Sequence, residues 1–148
     1  MLTLKEAVSE QEMAHCREIR RKVFVEELGQ EVADVFSAPD EGSLCAIMYD
    51  GKKPVATGRL RFDGERWRIG SIAVVTEERG TGLGNFLMRY LIRQAFDSGA
   101  DEVYVAALAD ARGFYEKLDF TEVEPPRQDR GAMRVLMKRV GDIGGHCN

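Results

Sequence analysis

The stretch RGTGLGNFLMRYLIRQAFDSG, beginning at Arg79, sets three glycines at alternate positions directly against an amphipathic segment. Leu83, Phe86, Leu87, Tyr90, Leu91 and Ala95 recur at i, i+3, i+4 and i+7, the spacing of one buried helix face. Gly99 is a fitting helix stop. A helix N-terminus carries unpaired backbone N–H groups and about half a positive charge. Glycines there let the backbone approach a ligand closely and take positive φ. The combination is an anion site, best matched by phosphate or pyrophosphate. The same glycines could also serve only a tight turn and close helix packing.

The pattern on either side of this stretch places it in a mixed α/β chain. Leu2 and Leu4 begin a short strand, and Ser9 with Glu12 reads as a capping box opening a helix. Met13, Cys16, Val23 and Phe24 continue at helical spacing toward a core, with Arg17 and Arg20 expected at its edge, until Gly29 stops the pattern. Residues 29–42 read as a loop with room for one helical turn. Residues 44–49, 55–62 and 67–75 read as strands separated by DGKK and DGE turns, an antiparallel meander. After the glycine helix come a strand over 102–107, a short helix through Phe114 and Leu118, and a last strand over 133–140. Strand, helix, strand implies a right-handed crossover between parallel neighbours. The expected fold is a single α/β domain over 1–140, an antiparallel meander followed by a β-α-β crossover, with a Gly-rich tail at 141–148 expected to fray.

Composition narrows the function. A chain of 148 residues is one domain's worth, and 44% hydrophobic with 31% charged residues is an ordinary globular mixture. The net charge of -4 argues against general nucleic-acid binding. Three cysteines (Cys16, Cys45, Cys147) and two histidines (His15, His146) fit neither a zinc site nor a disulfide framework, so no metal is expected. The N-terminus lacks a basic start followed by an apolar run, and no stretch is apolar enough to span a bilayer. The reading is a cytoplasmic protein with free thiols and no membrane partner.

Three phosphate motifs compete for the glycine turn. A P-loop needs Lys-Ser or Lys-Thr after its last glycine, but Gly84 is followed by Asn85 and Phe86. A dinucleotide fingerprint needs a third glycine where Asn85 stands, and its acidic residue would be Asp101, before the next strand rather than at its end. R-x-x-G-x-G, by contrast, is filled by Arg79, Gly82 and Gly84. The stretch IAVVTEERGTGLGNFLMRYLIRQA resembles the acetyl-coenzyme A signature of the GNAT N-acetyltransferase superfamily, and ARGFYEKLDF from Ala111 resembles its later FYEKLGF element. REIRRKVFVEELG from Arg17 is similar to a segment of small bacterial acetyltransferases of the ElaA/YjcF type, with Leu28 where glutamine is usual. A looser likeness runs to acyl-homoserine lactone synthases.

The resemblance implies an acyl-CoA N-acyltransferase fold with acetyl-CoA as cosubstrate. In the superfamily the strand before the glycine turn splays from its neighbour and bonds the pantetheine arm; Ile72, Ala73 and Val74 match it. Pantetheine carries two amides, so pairing with unpaired backbone is physically apt. The pyrophosphate would lie on the amides of Arg79, Gly80, Thr81, Gly82, Leu83, Gly84 and Asn85, with the Arg79 side chain adding charge. Tyr115 matches the tyrosine that protonates the departing thiolate in many relatives, and Phe114 packs, against the core or the cofactor. The acceptor would meet the VFVEE segment, so Phe24, Glu26 and Glu27 are acceptor-side candidates, the glutamates also as general bases beside relayed water. Arg20 and Arg59 could instead hold an acidic acceptor. Departures are Asp119 in place of a turn glycine, a residue type that tolerates positive φ, and Ser71 where the ElaA/YjcF type carries arginine. The implied activity is transfer of an acetyl group to a primary amine of a small molecule or peptide, by direct attack in a ternary complex. No cysteine has an activating partner for a covalent route. The alternatives are a coenzyme A-binding sensor without turnover, or acyl transfer from a carrier-protein thioester. Dimers are common among the proteins it resembles, and the sequence leaves open whether this chain forms a homodimer.

Overall fold

The computed structural model describes residues 1–37 and 40–141. The expected tail falls almost wholly on 142–148, outside the described residues. Strand β1 (Leu2–Glu6) leads into helix α1 (Glu10–Arg20), opened by the expected capping box: Glu12 N–H donates to Ser9 Oγ at 3.1 Å and Ser9 N–H to Glu12 Oε1 at 3.0 Å. The chain then widens into a π-helical segment (Arg21–Glu27), ends near Gly29, and makes one further turn, α2 (Val32–Val35). Strands β2 (Leu44–Asp50), β3 (Lys53–Phe62) and β4 (Trp67–Val74) form the meander. Helix α3 (Leu83–Asp97), β5 (Glu102–Leu108), the short α4 (Arg112–Glu116) and β8 (Ala132–Val140) complete the expected order. Two short strands, β6 (Thr121–Glu122) and β7 (Arg127–Asp129), pair with β8 and had no readable signal, being too short for any periodicity. Asp119 takes φ +68, the positive value expected of it.

All eight strands form one sheet in the order β1-β2-β3-β4-β5-β8-β6, with β7 on β8. Every pairing is antiparallel except β4 with β5. The helices cover opposite faces, as alternation along β3 shows. A Cβ on Gly58 would meet Leu91 and Leu87 of α3, whereas Arg59 sits opposite Cys45, whose thiol contacts Arg20 of α1. Even-numbered residues of β3 near here thus face α3, and odd-numbered ones face α1.

Two expectations about the core need correction. The buried stripe of α3 is Leu83, Leu87, Met88, Leu91, Ile92 and Ala95; Phe86 lies outside it, 55% exposed, because Met88 and Ile92 take the flank that meets the sheet. Arg20 is not at the edge of the core but inside it, 1% exposed. It can be buried because Asp40, from the loop after α2, neutralises it: Arg20 Nη1 donates to Asp40 Oδ1 at 2.8 Å. Arg59 Nη1 donates to the same oxygen at 3.1 Å. Burial alone would push the Asp40 carboxyl up, but the two guanidiniums outweigh it and hold the group below its ordinary range.

Candidate functional site

The sheet splits at one place. β4 and β5 pair only at Trp67–Val103, Arg68–Tyr104 and Ile69–Val105. Beyond Gly70 the two strands part, although β4 runs on to Val74 and β5 to Leu108. A bulge causes the divergence. Against β3, Arg59 faces Gly70 but Thr57 faces Ala73, so β4 carries one extra residue, and Ser71 takes φ +54. Gly58 makes the bulge possible, since a Cβ there would stand 2.6 Å from Ile72 Cδ1 and 2.7 Å from Leu91 Cδ1. The split opens a cleft of about 770 Å³, with Ile72, Ala73 and Val74 on one wall and Val105, Ala106 and Leu108 on the other. Past Ile69, β4 presents backbone with no ladder partner on that side, which can accept and donate to an extended, amide-bearing chain.

The glycine turn closes one end of the cleft. Gly80 and Gly82 adopt φ +80 and +87, and Gly82 caps α3 without a side chain. The first bond of the helix runs from Phe86 N–H to Gly82 O at 3.1 Å, so the amides of Leu83, Gly84 and Asn85 precede the ladder. A Cβ on Gly84 would touch Phe114 at 3.7 Å and Val74 at 4.0 Å, which brings the turn against the β4 wall and the Phe114 ring of α4. Thr81 is turned inward on its own loop, its hydroxyl donating to Glu78 O at 2.6 Å. The Arg79 side chain is engaged elsewhere than expected. Its Nε donates to Val74 O at 3.0 Å, its Nη1 to Glu27 Oε2, and its Nη2 to Glu27 Oε1 at 2.6 Å. Thr76 Oγ1 adds a 3.2 Å bond to the same carboxylate. The hydrogen bonds from Arg79 hold Glu27 below the usual carboxylate range, which makes it a weak proton acceptor as it stands.

Tyr115 and Phe114 line the same cleft. Their rings meet edge to face at 5.0 Å, and Tyr115 packs on Phe120 at 5.8 Å in the same manner. Burial pushes the Tyr115 phenol up, with the nearby Arg134 acting in the opposite sense. The group is therefore a protonated donor at neutral pH.

The segment after α1 also lines the cleft. Phe24 and Leu28 reach it from the π-helical turn, and Asp34 and Val35 from α2. Arg59 is at its wall, but Arg20 lies behind it, held by Asp40, and does not line it. Glu26 is on the outside, paired with Arg21. The candidates thus divide: Phe24, Arg59, Tyr115, Phe114, the β4 segment and most of the glycine turn converge, while Arg20, Glu26 and Glu27 do not face the cleft. Sequence reading missed Asp40, Arg61, Arg130 and Arg134. Arg61 was accessible by alternation from Arg59 along β3; Asp40 was not, since nothing local ties it to Arg20. Among the described residues no cluster of metal-ligating side chains occurs, and no helix is long and apolar enough to cross a membrane.

The comparisons with known proteins agree with this geometry. The family model of the acetyltransferase (GNAT) family matches residues 10–120. A candidate acetyltransferase of Bacillus subtilis is 31% identical over 95% of this chain and 98% of that protein. An uncharacterised N-acetyltransferase of the same organism, YjcF, is 30% identical over 75% of this chain and 79% of its own length. The crystal structure of Escherichia coli ElaA superposes with a TM-score of 0.85 at 23% identity, covering 94% of this chain and 99% of ElaA.

Proposed function

The chain belongs to the acetyltransferase (GNAT) family, and from that premise we propose that it transfers the acetyl group of acetyl-CoA to a primary amine of a small molecule or peptide, by direct attack within a ternary complex. One observation carries the reading. The β4–β5 split runs as a continuous cleft from the α3 N-terminus to a partly buried phenol, Tyr115. The pyrophosphate sits on the amides of Leu83, Gly84 and Asn85. The pantetheine arm follows the unpaired backbone of Ile72–Val74 (72–74), and its thioester reaches Tyr115. The amine nitrogen attacks the thioester carbon and the C–S bond breaks. The thiolate takes the phenol proton, and the proton released by the amine returns the phenolate to phenol through solvent. The acceptor enters from the side of Phe24 and Leu28. Neither Cys16 nor Cys45 lies on this path: Cys16 donates to Ala46 O and Cys45 contacts Arg20, and burial raises the pKa of both thiols. These unbridged thiols support a reducing, cytoplasmic setting.

Tyr115→Phe tests the assignment. The expected result is a fall in kcat of about a hundredfold or more with little change in acetyl-CoA affinity. An unchanged kcat removes Tyr115 from the chemistry.

A further inference from the structure

A chain of net charge -4 concentrates positive charge in its cleft. Arg59, Arg61, Arg79, Arg130 and Arg134 line it, against Asp34 and Glu78. Three of the five guanidiniums have carboxylate partners: Arg79 has Glu27, Arg59 has Asp40, and Arg130 has Asp129 at 3.5 Å. Arg61 and Arg134 make no ion pair among the described residues, and Arg134 only donates its Nε to Asp129 O at 3.1 Å. Both are partly buried. Burial presses the pKa of Arg134 down and the neighbouring Arg130 presses it further, against a smaller opposing pull from Asp129. Half-buried guanidiniums that make no direct ion pair are costly unless an anion completes them.

Register places these two on one surface. Arg61 faces Arg68 across β3–β4, and Arg68 faces Tyr104 across β4–β5. Period two along β5 carries the same face from Tyr104 to Leu108, which sits opposite Arg134 on β8. Arg61 and Arg134 therefore lie on the α1 face of the sheet and both line the cleft, Arg61 at the row where β4 and β5 still pair and Arg134 four residues further along, beside the split. The α3 N-terminus, which suits the donor's phosphates, serves the other helical layer. The two guanidiniums are thus on the acceptor's side and are free of the donor's pyrophosphate.

We propose that the acceptor is an amine that also carries an oxyanion group, a carboxylate or a phosphate, gripped by Arg61 and Arg134. The guanidinium fork matches both groups bidentately, and holding that end fixes the amine at the split. This specificity rests on the acetyltransferase reading above, but its test does not need turnover.

The experiment is calorimetric titration into the protein saturated with coenzyme A. The probes are amino acids with their C-terminal amides, phosphoethanolamine with ethanolamine, and spermidine. At least one carboxylate or phosphate amine should bind about tenfold or more tightly than its neutral counterpart. Comparing the amino acids with phosphoethanolamine tells which oxyanion is preferred. Arg61→Ala and Arg134→Ala should each weaken that binding about tenfold or more while coenzyme A affinity holds, and Arg61→Lys should recover part of the loss. The proposal is overturned if neutral amides bind as well, if spermidine binds best, if no anionic amine binds, or if the arginine variants bind like the wild type. Selective binding of an anionic amine with no thiol release from acetyl-CoA would refute the transfer reading and leave this one standing.

Discussion

Asp40→Ala is the most informative single perturbation of the fold. The Asp40 carboxylate is the shared counter-ion of Arg20 and Arg59, whose side chains are 2% and 10% exposed, with Arg17 Nη1 at 3.9 Å. Arg20 Nε is already buried without a partner. Removing the carboxylate takes away the counter-ion that Arg20 and Arg59 share in the core. Breaking a buried pair in this way costs about 3–5 kcal/mol. For a domain of this size each kcal/mol moves the melting midpoint by about 2–4 °C, so a fall of roughly 6–20 °C is expected. Urea unfolding followed by circular dichroism gives the free energy directly. Glu77→Ala, at an exposed pair with Lys53, is the control and should leave the midpoint nearly unmoved. Arg20→Met on the Asp40→Ala background removes one orphaned charge and should recover part of the loss. A cost below about 1 kcal/mol for Asp40→Ala, or a double variant no more stable than the single, would refute the reasoning that Asp40 is what permits Arg20 to be buried.

The same cluster sets a pH dependence. The Asp40 carboxyl is held below its ordinary range when folded, so its contribution is complete above about pH 5 and is lost as the pH falls through about 4 and below. Asp40→Asn should flatten that acid limb in a pH series of melting midpoints, and an unchanged limb would contradict the assignment. Gly58→Ala forces Ile72 and Leu91 to move, because the new Cβ would stand under 3 Å from both. The expected cost is about 1–3 kcal/mol, with a loss of acetyl-CoA affinity because Ile72 forms the cleft wall; unchanged stability and affinity together would show that the bulge does not depend on this glycine.

The fold was legible where periodicity is long and local. The apolar runs of β2, β3 and β4 between their turns, the 15-residue α3 and the Ser9–Glu12 capping box are all fixed by neighbours in sequence. The donor end of the site was legible for the same reason, since a glycine turn and the helix it opens are contiguous. The acceptor end was not, because its chemistry comes from pairs far apart in the chain. Arg20 meets Asp40 across a loop, Arg79 meets Glu27 between layers, and Arg61 shares a face with Arg134 only through four strands of register. An arginine on an amphipathic helix reads as solvated unless its counter-ion is known, which is why Arg20 was placed at the edge. The π-helical turn that carries Phe24 and Leu28 to the cleft likewise leaves no mark in a 3.6-residue pattern.

The central claim is that the glycine turn at the head of α3 holds the donor's pyrophosphate. Calorimetric titration of acetyl-CoA into the wild type and into Gly82→Trp tests it most directly, since Gly82 caps α3 at φ +87 beside the free amides. One molecule should bind per wild-type chain, and binding should be lost in a Gly82→Trp protein that circular dichroism shows to be folded. A wild type that does not bind acetyl-CoA, or a folded variant that binds it equally well, would contradict the account.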